Sequence, residues 1–302
     1  MSECIESHNF RLIKLPKSEN LNDEYCFHSN WLEAHWQEDA TETLRHIGDV
    51  GDGDWMIIDH YALDRRWEAM IRPHVDKIMV IDDLADRKHL CDLLLDQNYY
   101  SDAETRYKGM VEPNCQLLIS PKYALLREEF TDARSRLERK FSGVKTILIS
   151  FGGIDLHNDA LKAMEAIVDF EYKVIVVAGG NREYGKMQEF CQNHHNYRLC
   201  RSVTNMAELM TEADLAISAG GSTSLERAAL GLPTLGWPIA ENQVCILKEL
   251  DKLGAVRLSS PEKLAVDLPL LNDSALMEMS RRGVELCDAE GTVRVANKLW
   301  SA

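Results

Sequence analysis

Residues 54–98, DWMIIDHYALDRRWEAMIRPHVDKIMVIDDLADRKHLCDLLLDQN, decide the fold class. Apolar runs at Trp55 to Ile58, Ile78 to Ile81 and Leu93 to Leu95 each end in a polar cluster. Short continuous runs of this kind read as parallel strands buried on both faces. In open α/β sheets, ligands bind beyond the carboxyl ends of the strands. Asp59, His60 and Tyr61, then Asp82 and Asp83, then Asp96, Gln97 and Asn98, are therefore expected to line one crevice.

The pattern extends in both directions. Leu32, Trp36, Ala40, Leu44 and Ile47 fall near helical spacing and predict a helix over 28–47. Strands are expected at 55–59, 77–81, near 92–96 and at Leu117 to Ile119, with a helix at about 63–73. Residues 122–142 are charged and helical and lead out of this block. A second alternation starts at Lys145, with strands TILIS, KVIVVA and DLAIS each closed by a glycine turn. Helices are expected at 156–169, 183–194, 206–213, 242–253 and from about 288, with short strands at 197–200 and 234–237. Gly231 followed by Pro233 stops the helix that begins near Ser222. Repeated β–α alternation means parallel sheets covered by helices on both faces. The reading is an α/β protein with two Rossmann-like domains and a cleft between them. The first covers 1–127, a connection covers 128–144, and the second covers 145–302, with its last helix placed to pack back on the first.

With 302 residues and a formal net charge of −15, the chain has room for two domains and no overall basic character. That balance argues against nucleic acid, which needs a clustered basic face, but leaves a nucleotide open. No run is long enough to span a membrane, and residues 1–16 have no apolar core of the signal-peptide type. The 8 cysteines are scattered without a CxxC pair, which suits reduced thiols and a cytoplasmic location. Cys191, His194, His195 and Cys200 lack the paired spacing of a zinc site. DDLAD (82–86) resembles a magnesium-binding aspartate motif that works on a helix, whereas here it follows a strand. No metal and no cofactor are implied.

The second block carries the phosphate chemistry. In DLAISAGGSTSLE (214–226), Gly220 and Gly221 give a tight turn and Ser222 or Thr223 starts a helix, so backbone N–H groups face an anion. Glu226 lies one turn on, on the face of Ser222 and Thr223. Two readings stand for it: a ligand for ribose hydroxyls, or the answering half of a capping box with Thr223. Gly152, Gly153 and Asp155, and Gly179, Gly180 and Asn181, close two further strands. Glu241, Asn242 and Gln243 sit before a helix, where amides suit sugar hydroxyls and N-acetyl groups or, for Asn242, a cap.

Six motifs resemble the UDP-2,4-diacetamido-2,4,6-trideoxy-β-L-altropyranose hydrolases of pseudaminic acid biosynthesis, the PseG family, which are relatives of MurG and the GT-B glycosyltransferases. They are DHYALD (59–64), IDDLADRKHLCDLLLDQN (81–98), ISFGGIDLHN (149–158), SVTNMAELM (202–210), ISAGGSTSLERAALGLP (217–233) and GWPIAENQ (236–243). The resemblance implies a GT-B-like fold. It also implies a metal-independent enzyme that releases UDP by inverting attack of water on the anomeric carbon. It implies that Glu226 holds the ribose, that the backbone around Val203 to Met206 reads the uracil, and that Tyr61 and Asn242 meet the sugar or the water.

The family opens with a GxGHxxR loop whose histidine is the expected base, and this chain has no such motif. NFRLIKLP (9–16) looks like a strand from inside the first domain, so that domain reads as truncated at its N-terminus. Its first sheet is then expected to expose an unpaired edge and an apolar face. A partner chain could supply the missing segment. His60, beside Tyr61 at a strand end, is the nearest replacement base or else a histidine that binds or packs. His8, His28 and His89 show no pattern that singles them out. Two further readings remain: a GT-B glycosyltransferase using a UDP-sugar donor, and a non-catalytic or split UDP-sugar-binding protein.

Overall fold

A computed structural model describes residues 5, 6, 8–17, 28, 31–48, 51, 53–153, 155–180, 183–201 and 203–301. The chain divides into two compact units, Met1–Asp96 with Asp102–Ile119 and Lys298–Ala302, and Gln97–Ser101 with Ser120–Asn297. Residues 120–144, expected to close the first domain and connect it, thus fall in the second unit.

The first unit is a four-stranded parallel sheet in the order β1 (Trp55–Ile58), β2 (Lys77–Ile81), β3 (Leu93–Asp96), β4 (Gln116–Ile119). Space follows sequence, so no reversal of strand order occurs among the described strands. Ile58, Ile78, Val80 and Leu94 pack with Trp67 and Ile71 into one core. Trp67 and Ile71 come from α2 (Arg65–Ile71), while α1 (Trp36–His46) adds the fully buried Ala40. Asp64 caps α2, its side chain accepting from the Arg66 N–H at 2.9 Å. Among the described residues β1 pairs with β2 alone, and Ile57 is 49% exposed.

The second unit is a six-stranded parallel sheet. Its strands are β5 (Thr146–Ser150), β6 (Lys173–Ala178), β7 (Tyr197–Arg201), β8 (Leu215–Ser218), β9 (Thr234–Gly236) and β10 (Arg257–Leu258). The spatial order is β10-β9-β8-β5-β6-β7. The chain moves outward from β5 through β6 to β7, returns to the other side of β5 for β8, and moves outward again. The reversal falls between β5 and β8, where Ser150 is level with Ser218.

Both faces of this sheet are buried, as unbroken apolar runs predict. Ile147, Ile149, Val174, Val176, Leu215 and Ile217 meet α4 (Asp159–Ala166) and α10 (Asp273–Leu286) on one face. Leu148, Ile175 and Ala216 meet α3 (Glu128–Arg136), α6 (Met206–Glu212) and α7 (Thr223–Ala229) on the other. Around them lie α5 (Tyr184–Asn193), α8 (Asn242–Leu253), α9 (Leu264–Asp267) and α11 (Gly291–Trp300). Arg139 holds three backbone carbonyls, of Met210, Ala213 and Leu230, at 2.6–2.7 Å, and so ties the ends of α6 and α7 together. Burial lowers its pKa to about 10, which leaves it charged at neutral pH.

Several expected elements differ. The helix predicted over 28–47 is confined to α1, and residues 29 and 30 lie outside the described set. That predicted over 122–142 is only α3, because Pro121 opens a short 3-10 turn instead. Residues 9–16 form no strand. The helix α10 is an addition to the expected set, and the last helix starts at Gly291, where a side chain would collide with Ala124. No helix among the described residues is long and apolar enough to cross a membrane.

Candidate functional site

The carboxyl ends of β2 and β3 in the first unit are closed. Asp82 is 1% exposed, and its carboxylate meets Arg87 at 2.7 Å, the Tyr107 hydroxyl at 3.0 Å and the Ala85 N–H at 2.9 Å. Asp96 is fully buried and accepts from Arg106 Nε at 3.1 Å and from Tyr107 at 3.0 Å. Asp86 also contacts Arg87, at 2.9 Å. Burial between two carboxylates pushes the Tyr107 hydroxyl far above its ordinary pKa, so it stays a donor. DDLAD is thus a turn folded around Arg87. Asp82 and Asp96 hold structure and do not line an open crevice, which corrects the sequence expectation. Of the others, Gln97 accepts the Leu125 N–H at 2.9 Å, Asp83 uses its backbone carbonyl for Arg106, and Asp59 is exposed.

His60 follows β1, as expected from the sequence. Its Nδ1 accepts the Ala62 N–H at 3.1 Å and the ring also bonds the Trp31 backbone. Burial lowers its pKa, while Asp39 pulls it back up. A neutral ring with its acceptor nitrogen already used is poorly placed to take a proton from water. Tyr61 packs in an aromatic cluster with His28 and Trp31, at ring distances of 5.3 and 5.7 Å. Glu68 and His89 form a second buried pair, 2.6 Å apart, that no local pattern announces.

The second unit presents a different surface at its strand ends. β5 and β8 flank the reversal of strand order, the position where open α/β sheets hold ligands. Ser150 and Ser218 are joined by a hydrogen bond from the Ser218 hydroxyl to the Ser150 carbonyl. Beyond Ser150, Gly152 takes φ +84° and Gly153 accepts the Gly180 N–H at 2.6 Å. A side chain on Gly179 would collide with the Gly153 backbone, so the turns after β5 and β6 need glycine to sit against each other. Asn181 lies outside the described residues. Asp155, expected from the sequence to bind substrate, is instead used inside the fold. Its two oxygens accept the Asp159 and Ala160 N–H groups at 2.9 Å, and the side chain is 1% exposed. It anchors the start of α4.

Beyond Ser218 the chain turns through Gly220 and Gly221 into α7. A side chain on Gly220 would collide with Leu247. Gln243 accepts from the Gly220 N–H at 3.2 Å and from the Ile239 N–H at 3.1 Å, so it fastens the loop before α8 to the glycine turn. Asn242 is the first residue of α8 and Glu241 precedes it without a side-chain cap, so Asn242 is not the cap that one reading allowed. The capping box is absent too: Ser222 precedes α7 and no side-chain cap bond forms. Glu226 is therefore not spent on the helix end. Burial raises its pKa, and Arg127 and Arg227 partly offset that.

Arg127, which no sequence motif singles out, stands 3.7 Å from Glu226 and 2.7 Å from Glu129. Glu129 in turn accepts the Ala207 N–H at 3.1 Å, one residue beyond Met206. Glu226 is thus linked through Arg127 and Glu129 to the 203–207 segment, where Val203 and Met206 pack half-buried against the core. Arg127 and Glu226 are 99 residues apart in sequence (226 − 127), so no local pattern could have paired them.

Residues 146–264 match the glycosyltransferase family 28 C-terminal domain. The chain is 32% identical over 169 residues to the UDP-2,4-diacetamido-2,4,6-trideoxy-β-L-altropyranose hydrolase of Campylobacter jejuni, covering 55% of this chain and 60% of that protein. It is 26% identical to a Helicobacter pylori protein named pseudaminic acid cytidylyltransferase and hydrolase of the same sugar nucleotide, over 72% of this chain and 40% of that one. The matches span less than two thirds of either relative. The resemblance read from the motifs is present. Among solved structures, Acinetobacter baumannii MurG has a TM-score of 0.59 at 16% identity, covering 100% of this chain and 88% of that one. Arabidopsis thaliana UGT89C1, complexed with UDP, has 0.62 at 11%, covering 99% and 90%. At such identities the likeness is one of fold, and the fold is α/β and GT-B-like with two Rossmann-like units. Among the described residues no group of three or more His, Cys, Asp and Glu is gathered as a metal site, the Cys191–Cys200 cluster included.

Proposed function

We propose that the second unit binds the UDP part of a nucleotide sugar, and that the chain serves hydrolysis of a UDP-linked 2,4-diacetamido-2,4,6-trideoxy sugar to free sugar and UDP. One observation carries the UDP reading. At the reversal of strand order, a glycine turn lies one helical turn from a carboxylate, Glu226, that no helix cap uses. In this reading Gly152, Gly153, Gly220, Gly221, Ser222 and Thr223 surround the diphosphate. Glu226 accepts from the ribose hydroxyls, and Val203 to Met206 face the uracil. Glu241, Asn242 and Gln243 lie toward the sugar, although the Gln243 carbonyl oxygen is already engaged in the loop.

The chemistry asked of such a site is modest. UDP leaves as a stable anion, so the work is to hold negative charge on the diphosphate while water attacks the anomeric carbon from the opposite face. The similarity to the Campylobacter jejuni hydrolase supports water as the acceptor. A glycosyltransferase acting on a UDP-sugar donor is the alternative drawn from the same fold.

A second reading, UDP-sugar binding without turnover by this chain alone, is favoured by the occupied nitrogens of His60. In it, a further segment or a partner chain supplies the base. The test is UDP release from UDP-2,4-diacetamido-2,4,6-trideoxy-β-L-altrose by the purified chain without added metal, paired with calorimetry of UDP binding. Release supports the hydrolase, binding without release supports the second reading, and neither sinks both.

A further inference from the structure

The helix that starts the proposed phosphate site is short. α7 has 7 residues, about two turns, and its macrodipole is correspondingly small. Ser222, at its start, makes no capping bond. The positive charge of the region comes from elsewhere.

Arg227 is 2% exposed, and its guanidinium lies inside the 218–224 turn. Nη1 donates to Ser218 Oγ at 2.7 Å and to Thr223 Oγ1 at 3.0 Å. Nη2 donates to the Ala219 carbonyl at 2.7 Å and to Ser224 Oγ at 3.0 Å. Its Nε is buried with no hydrogen-bond partner among the described residues. Among the described residues no carboxylate makes an ion pair with it, and Glu226 acts on it only through space. Burial lowers its pKa to about 10, so it is a cation at neutral pH. A buried cation without a salt-bridge partner is unfavourable unless something else balances it.

The hydroxyls it holds are affected unequally. Ser218 accepts from Arg227 and donates to the Ser150 carbonyl, so both its roles are filled. Thr223 is half-buried, accepts from Arg227, and donates to no group among the described residues. A hydroxyl whose acceptor side is held by a guanidinium presents its proton outward. An anion is the ligand that such a proton, backed by a buried cation, would receive.

We infer that Arg227 is the positioning residue of the diphosphate site, supplying its positive charge from beneath the turn and aiming the Thr223 hydroxyl as a donor at a phosphate oxygen. The inference rests on the nucleoside-diphosphate reading above and adds the origin of its phosphate affinity. A role in holding the turn together without reference to ligand is the competing account, and the two differ in what they do to the nucleoside.

The experiment compares UDP with uridine on the full chain by ligand-observed NMR titration, for the unaltered protein, Arg227→Met, Arg227→Lys, Thr223→Val and Thr223→Ser. Arg227→Met is expected to weaken UDP by at least about tenfold and uridine by much less, since its only effect on uridine runs through the Glu226 carboxylate. Arg227→Lys falls between, because it keeps the charge and loses the fork. Thr223→Val reproduces most of the loss, Thr223→Ser does not, and Thr223→Val combined with Arg227→Met adds little, since the pair acts as one unit. Equal weakening of UDP and uridine in Arg227→Met, or full additivity of the two changes, overturns the inference. Should Arg227→Met fail to fold, the Thr223 pair decides alone: equal UDP-to-uridine ratios in Thr223→Val and Thr223→Ser overturn it. Binding of neither ligand by the unaltered chain removes the nucleotide reading itself. Uridine bound as tightly as UDP removes the diphosphate site while leaving a nucleoside site.

Discussion

The two units answer the same sequence signal in opposite ways. Both end their parallel strands in polar residues. In the first, the residues are aspartates, and Arg87, Arg106 and Tyr107 close over Asp82 and Asp96 until they have almost no exposure. In the second, the residues are glycines and serines wrapped around Arg227, with Glu226 left to one side. Strand order differs as well, since the first sheet runs β1 to β4 in sequence and the second reverses between β5 and β8. A polar strand end becomes a candidate site where the topology opens a gap and the backbone is left accessible. Where the strand-end residues are carboxylates that nearby arginines and a tyrosine can engage, it becomes a buried ion-pair network.

Asp82→Ala removes the more buried of the two carboxylates on Arg87 and an acceptor of Tyr107, and is expected to cost about 1–3 kcal/mol of stability. Thermal unfolding measures the loss, while UDP affinity should stay within about twofold, since Asp82 is engaged by Arg87 and Tyr107 and is none of the residues proposed to hold UDP. A large fall in UDP affinity would place Asp82 in the site after all. Glu226→Gln reverses the pattern. Stability is expected to change little, and UDP affinity to fall by about 10–100-fold, the range for a hydrogen bond to a charged group. Comparison with 2′-deoxy-UDP sharpens this, because the variant loses discrimination between the two nucleotides if Glu226 binds the ribose. Gly179→Ala forces a methyl into the Gly153 backbone and is expected to cost about 1–3 kcal/mol, read by chemical denaturation.

Smaller effects concern titration. Burial holds the Glu226 pKa above 4.5, so the folded protein keeps that proton to higher pH than the unfolded chain does. Its contribution to stability is therefore present at pH below 4.5 and is lost as pH rises through the folded value. UDP affinity is expected to move the other way, rising through the same window as the carboxylate forms to accept from ribose. Glu226→Gln flattens both profiles, and an unchanged pH profile in that variant would assign the titration elsewhere. The smallest effect is expected at His60, where His60→Gln leaves UDP affinity within about twofold because the ring is bonded to Ala62 and Trp31 and is none of the residues proposed to hold UDP.

Much of the fold is legible along the chain. The strand at 77–81 and the helix at 242–253 stand where the residue pattern puts them, because apolar runs and helical spacing are local properties. The glycine turns after β5, β6 and β8 are legible too, since glycine is needed where backbones meet. Arg227 also carries a local signal: it lies one helical turn after Thr223, the spacing at which side chains meet. Asp155 and Asp82 mislead for a common reason. A carboxylate at a strand end looks the same in sequence whether it faces ligand or a neighbouring N–H group.

By itself, then, the sequence determined the α/β class, the two alternating blocks, the motif resemblance and the short-range turns. Each depends on residue type at fixed spacing. The tertiary structure alone decided where the strand order reverses, which carboxylates are closed off, and that Arg127 meets Glu226 across 99 residues (226 − 127). Those outcomes depend on which distant segments the packed core brings together, and no spacing along the chain encodes that distance.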